Sequence, residues 1–361
     1  WGGQAGSLLF WSWLMSTYTG VVMLRDWSKE RDMQPYIITA SMLTLAFFIS
    51  LNAFVENPFN VLWIDSFGNI TASMVRPNAN LMFTPKDGAG LNPLLRHPGM
   101  IIHPPMLYLG FVGFIIPYSF AIGALAVGRT DSVWIRATRR WTLVAWLFLS
   151  LGLLLGGRWA YDVLGWGGYW GWDPVEIAAL MPWLTGTAFL HSVIIQEKHG
   201  MFKRWNMILI ILTYALVIFG TFLTRSGVLS SVHAFAQSSI GPLFFMFITI
   251  TFTISLVLLF RGWETLGSSK TLTSWLSREG LFLLNNLLFM GILVACFWGV
   301  IYPLISEIIT GQKVTVGPPF YERTTGPQFA ALLFLMGIVP LVAWRITTVN
   351  RLGHLIWKPT I

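Results

Sequence analysis

The chain is short of charge and nearly without cysteine. Only 11% of its 361 residues are charged, against roughly 25% in a soluble domain, which excludes an ordinary water-soluble fold. The single cysteine, Cys296, excludes an internal disulfide, a CxxC thiol relay and a cysteine-built zinc site. Redox chemistry here therefore needs a partner's thiols or a bound cofactor. Acidic residues are fewer still, 15 against 23 Lys and Arg, for a net charge of +8. In so apolar a chain that excess is orientation charge, not a nucleic-acid surface. There is no internal repeat, no low-complexity tract and no β-barrel alternation. The chain opens on Trp1 with no Met and no signal-like stretch, so a longer native protein is expected.

Apolar residues are abundant: 55% of the chain, with 27 Phe and 19 Trp, and a mean hydropathy of +0.66. Nine runs, at 7–24, 35–55, 100–127, 141–157, 175–195, 205–226, 242–260, 281–304 and 327–346, have about the 17–25 residues that cross a bilayer. Continuous runs of that length predict helices, since lipid leaves no other partner for the backbone. The predicted fold class is all-α: a polytopic membrane helical bundle of about nine transmembrane helices, one integral membrane domain over 1–361.

Loop charges agree with this. One side receives Arg25, Lys29, Arg31, Arg129, Arg136, Arg139, Arg140, Lys198, Lys203, Arg204, Arg261, Lys270, Arg278, Arg345, Arg351 and Lys358. The other receives only Arg76, Lys86, Arg96, Arg158, Arg225, Lys313 and Arg323. The positive-inside rule makes the first side cytoplasmic. The outer side then holds a lid-like loop at 56–98, rich in Asn, Pro and Gly, and the loops 158–174, 227–241 and 306–326.

One outer loop is unusual: Gly165-Trp166-Gly167-Gly168-Tyr169-Trp170-Gly171-Trp172-Asp173-Pro174-Val175-Glu176. Asp173 before Pro174 is placed to cap a helix, and single tryptophans would be an interfacial belt. Belt residues scatter over many helix ends, however, and these aromatics crowd together. Glycine lets the backbone lie close while the rings form a broad surface. Such a surface suits a large planar ligand with polar edges, a porphyrin or a quinone.

The histidines sort by depth. His103, before Pro104-Pro105, sits where an outer helix starts, and His233 lies just past the outer end of the span 205–226. Either alone is most simply a capping or hydrogen-bonded residue. Flanking one planar-ligand surface, the pair reads as the two axial ligands of a haem iron. His191 lies sixteen residues past Val175, about 24 Å down a helix, in the inner leaflet. An ionisable residue there is a functional candidate, with a bond to a neighbouring helix as the plainer use. Either its partner ligand lies outside this chain or the site is not bis-histidine. His199 and His354 fall in cytoplasmic loops, solvated, and His97 in the outer loop without a role. Arg158 and Arg225, at outer span ends, are snorkelling residues or partners of haem propionates.

These residues resemble a known family. The run from Trp166 to Glu176 looks like the tryptophan-rich WWD signature of the haem-handling proteins of cytochrome c maturation. Within that group the chain resembles CcmF, the haem lyase component. Asn92-Pro-Leu-Leu, His103-Pro-Pro-Met-Leu-Tyr, Gly220-Thr-Phe-Leu-Thr-Arg-Ser-Gly-Val-Leu-Ser-Ser-Val-His-Ala-Phe and the opening Trp1-Gly-Gly-Gln-Ala-Gly-Ser-Leu-Leu-Phe-Trp are similar to that family's.

The resemblance implies that a chaperone delivers haem to the outer, periplasmic face. There the WWD segment 158–176, through Trp166, Gly167, Gly168, Tyr169, Trp170, Trp172 and Asp173, supports the ring while His103 and His233 hold the iron. The haem is then joined to CxxCH thiols of apocytochrome c. That makes the chain a haem lyase or holocytochrome c synthase-type subunit of the bacterial inner membrane, or of its mitochondrial equivalent. Also implied is a resident transmembrane haem b, with His191 as one ligand and the other from a late helix; family parts at both termini are expected beyond this chain. The implied partners are a CcmE-like haem chaperone, CcmH/CcmI-like subunits that present the apocytochrome, apocytochrome c and membrane lipid, with no nucleic acid. A paralogue dedicated to one cytochrome, and CcmC-type or CcsBA-type relatives, remain alternatives, though CcmC is shorter. A transporter or a quinol-oxidising haem b protein is disfavoured by the near-absence of acidic residues from the spans and by the single intramembrane histidine.

Overall fold

A computed structural model describes residues 2–357 apart from 27–29, 89, 232, 234–238, 269, 345–347, 349, 351–352 and 355–356. Trp1, Lys29, Val232, Ala234, Phe235, Arg345, Arg351 and Lys358, named above, lie outside the described residues. The described helices are α1 (Gln4–Asp26), α2 (Gln34–Phe54), α3 (Gly99–Ala126), α4 (Val133–Val163), α5 (Pro174–His199), α6 (Lys203–Ser226), α7 (Ile240–Arg261), α8 (Arg278–Thr310) and α9 (Pro318–Ile338). Each contains a stretch long and apolar enough to cross a membrane, so the chain is a multi-pass membrane protein.

Two spans sit differently from their sequence reading. The run 141–157 is the middle of a longer helix, Val133–Val163, whose first turns carry Arg136, Arg139 and Arg140. Long arginine stems keep a helix intact at the interface while their heads reach water, so the charges masked helix, not loop. The run 327–346 is displaced toward the N-terminus, to Pro318–Ile338. Pro318 and Pro319 occupy the first helical positions, where proline is pre-shaped for the helix. The polar Glu322 and Arg323 hid those turns from an apolar-run reading.

The lid-like loop is not without structure. It holds a small antiparallel sheet of β1 (Val61–Ile64), β2 (Ile70–Ser73) and β3 (Leu81–Met82) in the order β2-β1-β3. Val61 pairs with Ser73 and Ile64 with Ile70. Asp65 closes the β1–β2 turn, its Oδ1 accepting from the Phe67 and Asn69 backbone N–H groups at 2.8 Å each.

α3 is the most enclosed span, packing on α1, α2, α4, α6 and α7. Its closest neighbour is α4, and glycine is the reason. A Cβ on Gly110 would lie 2.6 Å from the Leu149 backbone nitrogen, and one on Gly152 would lie 2.7 Å from Leu107. Between lipid-soluble helices, close backbone approach replaces the hydrophobic drive. Polar pairs add to it: Ser41 donates to Ser119 at 3.0 Å, Thr213 to Thr185 at 2.8 Å and Trp146 to Thr187 at 2.8 Å. Such bonds contribute roughly 0.6–2 kcal/mol each in a membrane. The start of α3, the end of α4, the start of α5 and the end of α6 meet at one end of the bundle, and the site lies there.

Candidate functional site

His103 and His233 line the same cavity, of about 300 Å³, at that end. His103 stands in the second turn of α3, buried, with its Nδ1 2.8 Å from the Gly152 carbonyl oxygen. A carbonyl only accepts, so Nδ1 carries the proton and Nε2 keeps its lone pair. The ring is held by Trp159 edge-on at 5.6 Å and by the missing side chain of Gly156, where a Cβ would come within 2.5 Å of His103 Cε1.

His233 is arranged in the same sense by different means. Its Nδ1 lies 3.0 Å from Asp173 Oδ2, so it too presents Nε2 as the free nitrogen. Ser231 Oγ donates to the same carboxylate oxygen at 2.6 Å and accepts the His233 backbone N–H at 3.0 Å. Burial raises the Asp173 carboxyl, but the hydrogen bonds it accepts from His233, Ser231 and the Val175 N–H outweigh it and hold the group below its usual value. Asp173 is also the N-cap of α5, in a capping box completed by Glu176. A residue legible as a cap is thus also the anchor of a cavity histidine.

The rest of the lining is mainly apolar, with Leu107, Tyr108, Leu153 and Trp170, and it includes Arg225. Arg225 is only 2% exposed; its Nη2 donates to Ser7 Oγ at 2.9 Å and its guanidinium lies 5.9 Å from the Tyr108 ring.

The aromatic loop does not form one flat surface. Trp170 lines the cavity and stands at 90° to Trp172. Trp172 takes the left-handed backbone region (φ 55°) and stacks on Tyr321 at 5.0 Å and 6°, tying the loop to α9. Tyr169 stacks on Tyr161 at 4.6 Å. Trp166 covers Gly171, whose Cβ would meet its ring at 2.6 Å, and meets the His233 ring edge-on at 6.5 Å. Gly165 and Gly167, both at positive φ, turn the chain between rings, a conformation costly with a side chain.

Of the residues singled out in the sequence, the cavity brings together His103, His233, Trp170 and Arg225, with Asp173 and Trp166 beside His233. Gly167, Gly168, Tyr169 and Trp172 do not line it, and neither does Arg158, which bonds Asp162 Oδ2 at 3.1 Å on the exposed face of α4. Sequence reasoning missed Gly152, Gly156, Tyr108 and Ser231. The Gly156-Gly157 pair inside an apolar span was the available signal, since paired small residues mark close approach.

His191 faces α8. Its Nδ1 is 2.9 Å from Asn285 Nδ2, and its ring is flanked by Phe282 at 5.5 Å and Phe289 at 6.2 Å. His199, read as a solvated loop residue, instead ends α5 with its Nε2 3.5 Å from Glu279. Among the described residues no group of three or more His, Cys, Asp or Glu is placed to hold a bare metal ion.

These features define a polytopic membrane protein with two imidazoles lining one cavity behind a tryptophan-rich loop. The chain belongs to the cytochrome c assembly protein family, which it matches over residues 1–233. It is 41% identical to the cytochrome c-type biogenesis protein CycK of Bradyrhizobium diazoefficiens over 96% of its own length, and 40% identical to CcmF of Pseudomonas aeruginosa over 96%. It covers 49% and 50% of those two proteins. The probable biogenesis protein NrfE of Escherichia coli is 39% identical, with 59% of its length covered. A solved structure of the cytochrome c heme lyase CcmF superposes with a TM-score of 0.74 at 31% identity, covering 99% of this chain and 50% of that one. The chain thus spans about half the length of the curated relatives it matches.

Proposed function

We propose that this chain carries the haem-binding site of a haem lyase in cytochrome c maturation, with the cavity end of the bundle facing the periplasm. One observation carries the reading: two histidines, one in α3 and one in the segment after α6, line one mainly apolar cavity, each with Nδ1 held by an acceptor and Nε2 turned away from it. A hydrogen bond at one ring nitrogen sets which nitrogen ligates and raises its basicity.

Haem enters as substrate. His103 and His233 take its axial positions through Nε2, Trp170 and the leucines cover the ring, and Arg225 receives a propionate. Each thiol of a CxxCH segment then adds across one vinyl group, sulfur to one carbon and hydrogen to the other, with no net oxidation. The chain supplies positioning and exclusion of water, and the vinyl reactivity belongs to the haem. Thiols come on the apocytochrome, in keeping with a lone buried cysteine here. A haem chaperone of the CcmE kind and thioredoxin-like or TPR-type subunits of the CcmH/CcmI kind are the partners this chemistry calls for.

His191 would hold one side of a resident haem b, with Phe282 and Phe289 flanking its ring; ligation through Nε2 requires the Asn285 side-chain amide to turn so that its oxygen, in place of its nitrogen, meets Nδ1. Such a haem would supply single electrons to keep the substrate iron ferrous. The second ligand is not among the residues near His191 described above.

The test is the optical spectrum of the purified full-length protein, reduced and oxidised, beside His191→Ala and a His103→Ala/His233→Ala pair. Loss of a b-type spectrum in His191→Ala, with added haem no longer bound by the outer pair, is expected. A wild type that neither holds haem nor takes it up overturns the assignment in favour of a transporter.

A further inference from the structure

The opposite end of the bundle carries a second cavity, of about 630 Å³, lined by Arg25, Arg136, Ala137, Arg139, Arg140 and Leu143. Arg25 is in the last turn of α1 and the other three arginines are in the first turns of α4. No acidic residue is among its described lining. Arg139 approaches Glu197 only at 4.0 Å, with its side chain 65% exposed.

The positive-inside rule explains why these residues are basic and on this side. It does not explain why four guanidiniums from helices more than a hundred residues apart in sequence share one cavity. Arg136, Arg139 and Arg140 stand at i, i+3 and i+4, spacings at which like charges destabilise a helix. An anion in the cavity relieves that repulsion.

The surroundings select the anion. Below the arginines the outward faces of α1 and α4 are apolar and open: Leu24 is 89% exposed, Leu143 46% and Leu147 49%. Tyr18 of α1 meets Trp141 of α4 edge-on at 5.8 Å, so the two helices stand side by side below the cavity. A ligand that satisfies both halves has a phosphate head and hydrocarbon tails. Guanidinium forks grip phosphate through paired hydrogen bonds, and the leucines receive acyl chain.

We propose that this cavity binds an anionic phospholipid of the inner leaflet, its phosphate among Arg25, Arg136, Arg139 and Arg140 and its chains along α1 and α4. The site is separate from the haem cavity and does not depend on the haem-lyase reading.

The experiment titrates the purified full-length protein, in a neutral detergent, with dioleoylphosphatidylglycerol and reads bound lipid by native mass spectrometry. Arg136→Gln/Arg139→Gln/Arg140→Gln is expected to weaken binding on the order of a hundredfold, about fivefold for each basic residue at the membrane surface. Lys203→Gln/Arg261→Gln/Lys270→Gln removes the same charge from the same side outside the cavity and should leave affinity within about twofold, below the effect of one such residue. Arg136→Lys/Arg139→Lys/Arg140→Lys preserves orientation charge but not the forks; a several-fold loss supports the site even if the Gln variant does not fold. Unchanged affinity in the cavity variants, or an equal loss in the outside control, overturns the proposal. So does displacement of the lipid by millimolar inorganic phosphate, which would mark a free-anion site.

Discussion

Gly156→Ala tests the cavity most sharply, because one methyl group is aimed at one ligand. The new Cβ would sit 2.5 Å from His103 Cε1 and 2.9 Å from Nδ1, about 1 Å inside ordinary contact. Moving α4 away from α3 would open the close contacts at Gly110 and Gly152 and lose the packing that holds the two helices together. The imidazole must therefore turn and give up its 2.8 Å bond to the Gly152 carbonyl. Overpacking costs about 1–3 kcal/mol, and a buried ring nitrogen left without its partner costs about 1–3 kcal/mol more. The thermal midpoint should fall, and haem affinity should fall with it because Nε2 no longer points as before. Two controls separate the effects. Gly110→Ala clashes with the Leu149 backbone at 2.6 Å and should destabilise the bundle, yet at a temperature where it stays folded it should bind haem like wild type. Gly20→Ala, which meets nothing within 4 Å, should change neither quantity. If Gly156→Ala keeps wild-type haem affinity by spectral titration, His103 is not held as described and the two-ligand cavity is refuted.

Asp173→Asn is expected to keep α5 capped, because Asn caps as well as Asp, while lowering haem affinity about 10–100-fold through loss of the charged partner of His233; wild-type haem affinity by spectral titration would show that the carboxylate does not act through His233. Tyr321→Ala removes the ring beneath Trp172 and should cost about 3–5 kcal/mol as a buried aromatic truncation, whereas Tyr321→Phe should hold the thermal midpoint near wild type. Asp65 is held below its usual carboxyl value of 3.8 first by the Asn69 side chain and then by backbone N–H groups. A depressed carboxyl stabilises fully above 3.8 and loses that effect as pH falls through its lower folded value. Hydrogen exchange in the β1–β2 turn should therefore accelerate on acidification below 3.8, and the acceleration should vanish in Asp65→Asn.

Much of the architecture was legible in order and charge alone. Bilayer thickness sets a minimum apolar length and the backbone permits only helices there, so the spans follow from composition along the chain, and the loop charges divide their ends between two sides. Sidedness in turn put His103, His233 and the aromatic loop at one end before any coordinates. The same logic failed where local chemistry interrupts an apolar run without ending the helix, as at Arg136–Arg140 of α4 and at Glu322 and Arg323 of α9.

Tertiary structure decided which side chains face one another. The four aromatics of the loop read as one surface because sequence spacing says nothing about ring direction; packing gave Tyr169 to Tyr161, Trp172 to Tyr321 and only Trp170 to the cavity. Asp173 read as a cap and became the anchor of a histidine 60 residues away. Gly156 had no role in the sequence reading, yet its missing side chain leaves the space the His103 ring occupies. Contacts of this kind depend on fractions of an ångström between backbones far apart in sequence. Apolar run length determines that helices cross and charge groups their ends, while the aim of each nitrogen depends on how closely those helices approach.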